Sequence, residues 1–151
     1  MSKVLSRVSL LVLVLGFLTG CQYQSALVVD NLPTQEIIIG STRLVVEVAR
    51  TTAQKRQGLS GREFLAPGTG MMFVFDQPDE HQFWMKDMNF PLDFLWISSG
   101  KVIEIMTNVP APSIDNPQPA VVSPQQPIDM VIEVPAGWAV QNNVKVGDEV
   151  D

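Results

Sequence analysis

A polar run near the middle of the chain has the residue types that could hold a metal ion. Asp76, Asp79 and His81 lie close together in the sequence, and carboxylate oxygens and imidazole nitrogens bind divalent cations. The chain has no other histidine and no calcium-loop spacing, and a short polar run between apolar segments is more typical of a solvated turn. A metal site at these three residues is therefore the weaker interpretation, and we predict no bound cofactor.

A second set of residues combines cations, a carboxylate and an indole ring. If residues 83–86 form a strand, their alternation places Trp84 and Lys86 on one face. Should that face lie near Asp93, an apolar wall with one cation and one carboxylate would suit a small polar ligand. The predicted ligand-binding residues are Arg56, Arg62, Trp84, Lys86 and Asp93.

Structural roles compete with ligand binding at these positions. Lys86 or Arg62 could instead form an ion pair with Asp93 that holds the turn at Pro91. The three tryptophans, at positions 84, 96 and 138, could form a stacking surface for sugars. A small β-domain more often uses such large side chains in its core.

Catalytic constellations are sparse. The chain has no Gly-x-Ser-x-Gly motif, and His81 is the one imidazole that could serve as a base. Asp87 and Asp93 could act as the carboxylate pair of a hydrolase, with His81 as acid or base, if they lie about 5–10 Å apart in a cleft. An envelope hydrolase is therefore an alternative function, although the sequence favours a protein that is not an enzyme.

The first twenty residues have the pattern of a signal peptide. Lys3 and Arg7 give a basic start, and residues 8–18 form an apolar run. This run is shorter than the roughly 18 residues that a membrane-spanning helix needs. The sequence Leu-Thr-Gly before Cys21 resembles a bacterial lipobox, which predicts cleavage before Cys21 and lipidation of its sulfur.

This pattern predicts an exported protein that is anchored in the cell envelope by lipid. Because Gln22 rather than Asp follows Cys21, the predicted destination in a Gram-negative host is the periplasmic face of the outer membrane. We expect residues 21–33 to form a flexible tether and residues 34–151 to form one β-domain.

The charge of the chain limits its partners. The 151 residues carry 10 basic and 16 acidic side chains, for a net charge of −6. Removal of residues 1–20 takes Lys3 and Arg7 with it and leaves 8 basic against 16 acidic residues. Such an acidic domain is unsuited to nucleic acid, and we expect its contact with the membrane to be made by the lipid alone.

The hydropathy pattern predicts a mainly β fold, a small β-sandwich or barrel with one or two short helices. Thr51 and Gln54 form a capping-box pattern that predicts a helix ending at Gly58. A polar loop is expected over 76–81, and a short helical turn over 136–141. Strands are predicted over 36–39, 43–49, 71–75, 82–86, 94–97, 101–107 and 128–134, with a final edge at 149–150.

The segment from 108 to 127 contains six prolines, at 110, 112, 117, 119, 124 and 127. Proline lacks the N–H that a strand ladder requires, so no strand is predicted there. A loop of this length in a compact domain is a candidate binding element.

Several ordered motifs are similar to those of a known family. They are residues 56–59 (RQGL), 70–75 (GMMFVF), 83–86 (FWMK), 91–94 (PLDF), 100–105 (GKVIEI), 136–138 (AGW) and 146–148 (VGD). Together they resemble domain of unknown function 192. The resemblance implies a compact β-domain, often exported in bacteria, with no established activity. Ser60 and the pair Asp87-Met88 depart from the residues that are usual in this family.

The sequence therefore leads to a favoured function and two alternatives. The favoured function is a binding or accessory module for a small ligand, a glycan or an envelope protein. The alternatives are the hydrolase that uses Asp87 and Asp93, and a purely structural domain.

Overall fold

The structure is a computed structural model that describes residues 32–151. The predicted signal peptide, Cys21 and the predicted tether up to residue 31 lie outside the described residues. Within residues 32–151, no helix is both long enough and apolar enough to cross a membrane.

Eight strands and two short helices make up the described part of the chain. The strands are β1 (Thr34–Ile39), β2 (Thr42–Ala49), β3 (Thr69–Asp79), β4 (Phe83–Trp84), β5 (Leu92–Ser98), β6 (Lys101–Val109), β7 (Val121–Val122) and β8 (Ile128–Pro135). The helices are α1 (Thr52–Gln57) and α2 (Trp138–Gln141). The predicted mainly β fold with one or two short helices is confirmed.

Six strands form one open sheet in the order β1-β2-β3-β8-β5-β6, and β4 pairs with β7 in a separate two-stranded ribbon. Strands β2 and β3 are parallel, because α1 and the loop after it carry the chain back to the starting edge of the sheet. The other neighbouring pairs are antiparallel. The described strands form no closed barrel.

The tight turns of the two hairpins follow from local sequence. Gly40, with a φ of +58°, turns β1 into β2. Ser99 and Gly100 both have positive φ, at 51° and 70°, between β5 and β6, which is the backbone of a type I′ turn. The two predicted hairpins are confirmed.

Apolar side chains cover both faces of the sheet. Strand β5 alternates between them: Leu95 and Ile97 join one cluster of buried residues, whereas Leu92, Phe94 and Trp96 join the other. We call these the first face and the second face. Trp138 and Ala139 of α2 pack on the first face. Leu59, Phe83 and Met85 cover the second, so this face is closed by the segment after α1 and by the ribbon.

The C-terminal residues connect the two edge strands at one end of the sheet. The backbone N–H of Ile38 in β1 donates to Asp151 at 2.9 Å, and that of Val102 in β6 donates to Asp148 at 2.9 Å. Glu149 and Val150 form isolated β-bridges with Lys101 and Ile39. The predicted C-terminal edge is thus present as a bridge between strands.

Three sequence predictions about strands need correction. Strand β3 continues into the predicted 76–81 loop and ends at Asp79. The register of its pairing with β8 shifts between Val74 and Asp79, and this irregularity accommodates Pro78. The predicted strand over 82–86 is reduced to β4, in the ribbon rather than the main sheet. Strand β7 forms inside the proline-rich segment because neither of its two residues is a proline.

Candidate functional site

Asp93 is fully buried on the first face of the sheet and binds backbone rather than another side chain. Its Oδ1 accepts hydrogen bonds from the N–H groups of Asn108, at 2.8 Å, and Gly137, at 3.0 Å. Its Oδ2 accepts a third from Ala139, at 3.0 Å. Asn108 and Gly137 have positive φ, at 56° and 83°, so the carboxylate fixes two irregular backbone segments: the end of β6 and the start of α2.

This arrangement corrects the predicted contacts of Asp93. Neither Lys86 nor Arg62 pairs with it, because its oxygens are occupied by backbone donors. Arg62 instead forms a two-pronged ion pair with Glu47, with oxygen–nitrogen distances of 2.7 and 2.5 Å. The hydrogen bonding that Arg62 donates to Glu47 is the main cause of the raised pKa of Arg62. Arg62 and Asp93 therefore do not join Trp84 and Lys86 in one site.

The carboxylate pair of the hydrolase alternative is not assembled either. Asp93 lies on the first face, whereas the turn that contains Asp87 lies between Met85 and Met88, which are both packed on the second. Asp87 is exposed and adopts a φ of 57°. Because the sheet separates the two carboxylates, they cannot flank one bond.

The predicted metal cluster is also not assembled. No group of three carboxylate, histidine or cysteine side chains in residues 32–151 is close enough to hold a metal ion. Asp76 and Asp79 lie in the part of β3 where its pairing with β8 is irregular. His81 stacks on Phe75, with ring centroids 3.6 Å apart.

A small cavity opens on the second face, between α1 and the ribbon. One wall is the end of α1 and the residues after it, 55–60, and the other contains Phe83, Trp84 and Met88. Phe73, Leu92 and Glu133 complete the lining. The cavity has a volume of about 30 Å³, which is room for about two water molecules or one polar group of a larger molecule.

Local hydrogen bonds set the position of the α1 wall. The Thr51 hydroxyl accepts from the Gln54 N–H at 3.2 Å, and the Gln54 side chain accepts from the Thr51 N–H at 3.0 Å. The Gly58 N–H bonds to the Gln54 carbonyl and ends the helix, at a positive φ of 49°. The predicted capping box and the predicted helix end at Gly58 are confirmed.

The two walls are tied to each other. The Ser60 hydroxyl donates to the Lys86 carbonyl at 2.9 Å, and the Gly61 N–H donates to the Asp87 carbonyl at 2.8 Å. The Asn89 side chain donates to the Arg62 carbonyl at 2.8 Å. These bonds hold the mouth of the cavity in one geometry, and the positive φ of Asp87 lies within this tied turn.

Glu133 is the polar group at the base of the cavity. It lies on β8 between Met71 of β3 and Phe94 of β5, and is 6% exposed. Burial alone raises the pKa of its carboxyl to about 8, with no contribution from a hydrogen bond or a nearby charge. Among residues 32–151, no side chain forms a salt bridge with it. At neutral pH most of this carboxyl is protonated.

Cations and an exposed indole surround the mouth. Arg56 and Trp84 line the cavity, and Trp84 is 53% exposed. The Lys86 ammonium lies 5.5 Å from the centre of the Trp84 ring. Lys55 donates to the Val74 carbonyl at 2.7 Å and lies over the Phe75 ring. Of the predicted ligand-binding residues, the structure thus brings together Arg56, Trp84 and Lys86.

Sequence reasoning missed Glu133, although a signal was present. In the run 131–134 (VIEV), alternation places residue 133 on the same face as Val131, which is buried. A carboxylate on the apolar face of an interior strand is unusual. The other two tryptophans, Trp96 and Trp138, are buried in the core, so they form no surface for sugars.

In two larger depressions on the surface, the charged side chains are paired with each other or with a neighbour. One, of about 280 Å³, contains Arg62 and Glu47, which neutralise each other. The other, of about 410 Å³ beside α2, contains Arg43, which pairs with Glu36. The cavity at Glu133 is smaller, but it alone of these three holds a buried carboxyl whose hydrogen-bonding capacity is unused within the described residues.

Comparison with known proteins gives a family and a fold. A profile for the family DUF192, described as an uncharacterized ACR, matches residues 35–151. No curated protein matches the chain.

Two solved structures are similar to it. One, described as a "putative transcription regulator" from Sinorhizobium meliloti 1021, is 29% identical with a TM-score of 0.73, over 80% of this chain and 95% of that one. The other, a protein of unknown function from Novosphingobium aromaticivorans DSM 12444, is 30% identical with a TM-score of 0.71, over 82% of this chain and 88% of that one.

Proposed function

The chain belongs to the DUF192 family, and we propose that its β-domain is a binding module that receives one polar group of a small ligand in the cavity at Glu133. The rest of the ligand lies against the rim formed by Arg56, Trp84 and Lys86. The observation that carries this proposal is a buried carboxyl for which residues 32–151 provide no hydrogen-bond partner, in a cavity that reaches the surface.

The energetics of Glu133 support a role in binding rather than in stability. A glutamate in an unfolded chain ionises near pH 4.5, whereas Glu133 in the folded protein ionises near pH 8. Folding at neutral pH must therefore protonate this group, which costs roughly 3 kcal/mol. No contact within the described residues offsets that cost, so a purely structural domain gains nothing from Glu133.

The rim has features suited to a ligand. Trp84 is paired across the ribbon with Val121, and both are exposed at more than half of their surface. Arg56 and Lys86 form no salt bridge within residues 32–151. An apolar surface beside free cations can hold the body of a small molecule or a sugar.

The cellular setting is part of the proposal. We propose that the chain is exported and held in the envelope by lipid on Cys21, so that its ligand is a small molecule or glycan of that compartment, or part of an envelope protein. The acidity of the domain disfavours nucleic acid as a partner, so we do not propose a role in transcription for this chain.

Ligand-detected NMR on the full chain tests the binding site. The protein is mixed with small carboxylates, N-acetylated sugars, alcohols and amines, and saturation transfer is compared among variants. Glu133→Leu fills the cavity with apolar atoms and should abolish transfer. Glu63→Gln removes an exposed carboxylate that does not line the cavity, and should leave transfer unchanged. Equal transfer to the wild type and Glu133→Leu would show that ligands do not use this cavity.

The proposed anchor has a separate test. Cells that express the chain are fed a labelled fatty acid, and the label is followed on the protein and in the membrane fraction. Cys21→Ser should remove both the label and the membrane association. Retention of either by the variant would contradict anchoring through Cys21, without affecting the binding proposal.

A further inference from the structure

The structure limits which chemical group the cavity can accept. A protonated carboxyl has one O–H donor, and at a buried position that donor needs an acceptor. On the sheet and ribbon side, the lining residues Phe73, Phe83, Met88 and Leu92 have no strong acceptor. On the α1 side, the Gln57 amide and the Ser60 hydroxyl donate to the Ser60 and Lys86 carbonyls, and neither side chain bonds to Glu133 within the described residues. A donor that has no partner within the described residues is satisfied by a ligand that brings an acceptor, so such a ligand gains the most from this site.

We propose that the group bound in the cavity is a carbonyl oxygen, from a carboxylate or an N-acyl group, and that Glu133 in its protonated form donates a hydrogen bond to it. This inference rests on the proposed function and specifies its ligand class. An ammonium or guanidinium group has donors and no acceptor, so its binding would require Glu133 to be ionised.

Charges around the cavity favour ligands that bring a hydrogen-bond acceptor, which we call the acceptor class. Lys55 and Arg56 on α1 face the cavity, and Lys86 lies at its rim. The strands packed against Glu133 contribute no charge to the lining: β3 presents Phe73, β4 presents Phe83 and Trp84, and β5 presents Leu92. A cationic ligand would approach these three cations and be repelled, whereas a carboxylate would be attracted.

The size of the cavity agrees with this class. A volume of about 30 Å³ admits the carbonyl end of a molecule but not a sugar ring or a peptide side chain as a whole. The body of the ligand must therefore stay at the rim beside Trp84. Glu133 therefore recognises the carbonyl oxygen, and Arg56 and Lys86 favour a negatively charged carboxylate over a neutral N-acyl group.

Glu133→Gln distinguishes the two ligand classes. A glutamine amide also donates a hydrogen bond but cannot ionise. Binding of a carbonyl acceptor should therefore survive in this variant, whereas binding of a cation should be lost. In the wild type, acceptor binding should weaken about tenfold for each pH unit well above 8, because deprotonation removes the donor. In Glu133→Gln it should not change with pH.

The experiment is an NMR titration of the full chain with acetate, N-acetylglucosamine and ethylammonium at pH 6, 7.5 and 9.5. We expect acetate or N-acetylglucosamine to bind the wild type, with affinity at least tenfold lower at pH 9.5 than at pH 7.5, and to bind Glu133→Gln equally at all three values. Arg56→Gln separates the two sources of the carbonyl. This variant should bind acetate severalfold more weakly than the wild type and bind N-acetylglucosamine with unchanged affinity.

The outcomes distinguish this inference from the proposed function. If ethylammonium binds the wild type, and Glu133→Gln and Glu133→Leu both lose it, the cavity is a binding site but the acceptor class is wrong. If no probe binds in a way that Glu133→Leu abolishes, the proposed function fails, and the inference fails with it. If acetate or N-acetylglucosamine binds Glu133→Gln with the same pH dependence as the wild type, Glu133 is not the donor and the inference is overturned.

Discussion

Asp93 and Glu133 are two buried carboxyl groups that lie almost side by side in the same sheet, yet their surroundings are opposite. Asp93 pairs in register with Val134, and Glu133 pairs with Phe94, so the two side chains leave neighbouring strands on opposite faces. Asp93 accepts three backbone hydrogen bonds. Glu133 accepts none within the described residues, and its pKa is raised to about 8 by burial.

The difference shows that burial alone does not define the role of a charged group. Where backbone donors surround a carboxylate, burial makes the interaction strong and the residue fixes the fold. Where apolar atoms surround it and a cavity adjoins it, burial destabilises the charge and leaves hydrogen-bonding capacity free. A partner from outside the chain can use that capacity, which is why only Glu133 is placed in the proposed site.

Removal of the Asp93 carboxylate should have the largest effect on stability. Asp93→Ala leaves three backbone N–H groups without their acceptor, so we expect the free energy of unfolding to fall by about 4 kcal/mol in urea titrations. Asp93→Asn retains one acceptor oxygen and should lose about half as much. A loss below 1 kcal/mol for Asp93→Ala would mean that other acceptors replace the carboxylate and that the contrast with Glu133 is false.

Neutralisation of Glu133 should have the opposite sign. Because the folded pKa of about 8 exceeds the unfolded value of 4.5, the native state binds more protons between these values, and stability falls as pH rises through this range. The wild type should lose roughly 3 kcal/mol between pH 5 and pH 8 from this group. Glu133→Gln should lack that component, so its stability relative to the wild type should rise by about 3 kcal/mol from pH 5 to pH 8.

Urea titrations at pH 5 and pH 8 measure both quantities. Glu63→Gln serves as the control, because it also removes one carboxylate but at an exposed position. If Glu133→Gln and Glu63→Gln have the same pH dependence as the wild type, the carboxyl of Glu133 is solvated in the folded protein. The comparison with Asp93 would then not hold.

Most of the fold could be predicted from sequence, because its signals are local. The capping box at Thr51, the Gly40 and Ser99-Gly100 turns, and the β-branched runs each act within a few residues. The failures have non-local causes. Pairing of β4 with β7 joins segments that are far apart in the sequence, and the extension of β3 depends on a shift of register with β8.

The candidate site shows the same limit. Arg56, Trp84 and Lys86 could be selected from their residue types, and they do lie around one cavity. Proximity in sequence also places Asp93 with these residues, but its side chain lies on the other face of the sheet. Glu133 was missed because its importance depends on what surrounds it: β3 and β5 on either side and α1 across the cavity.

The helix caps on the two faces provide the smallest and most local prediction. Thr51→Ala removes the hydroxyl that accepts from the Gln54 N–H, which should cost about 1 kcal/mol within α1. No residue of α1 is buried, so the helix should open locally without unfolding of the domain. Amide hydrogen exchange in α1 should therefore become roughly fivefold faster. Exchange in α2 should not change, because Asp93 holds α2 on the other face. Thr51→Ser retains the hydroxyl and should exchange like the wild type. Equal acceleration of amide exchange in α1 and α2 would show that the two faces of the sheet open as one unit. The different roles of Asp93 and Glu133 would then not extend to the dynamics of the two faces.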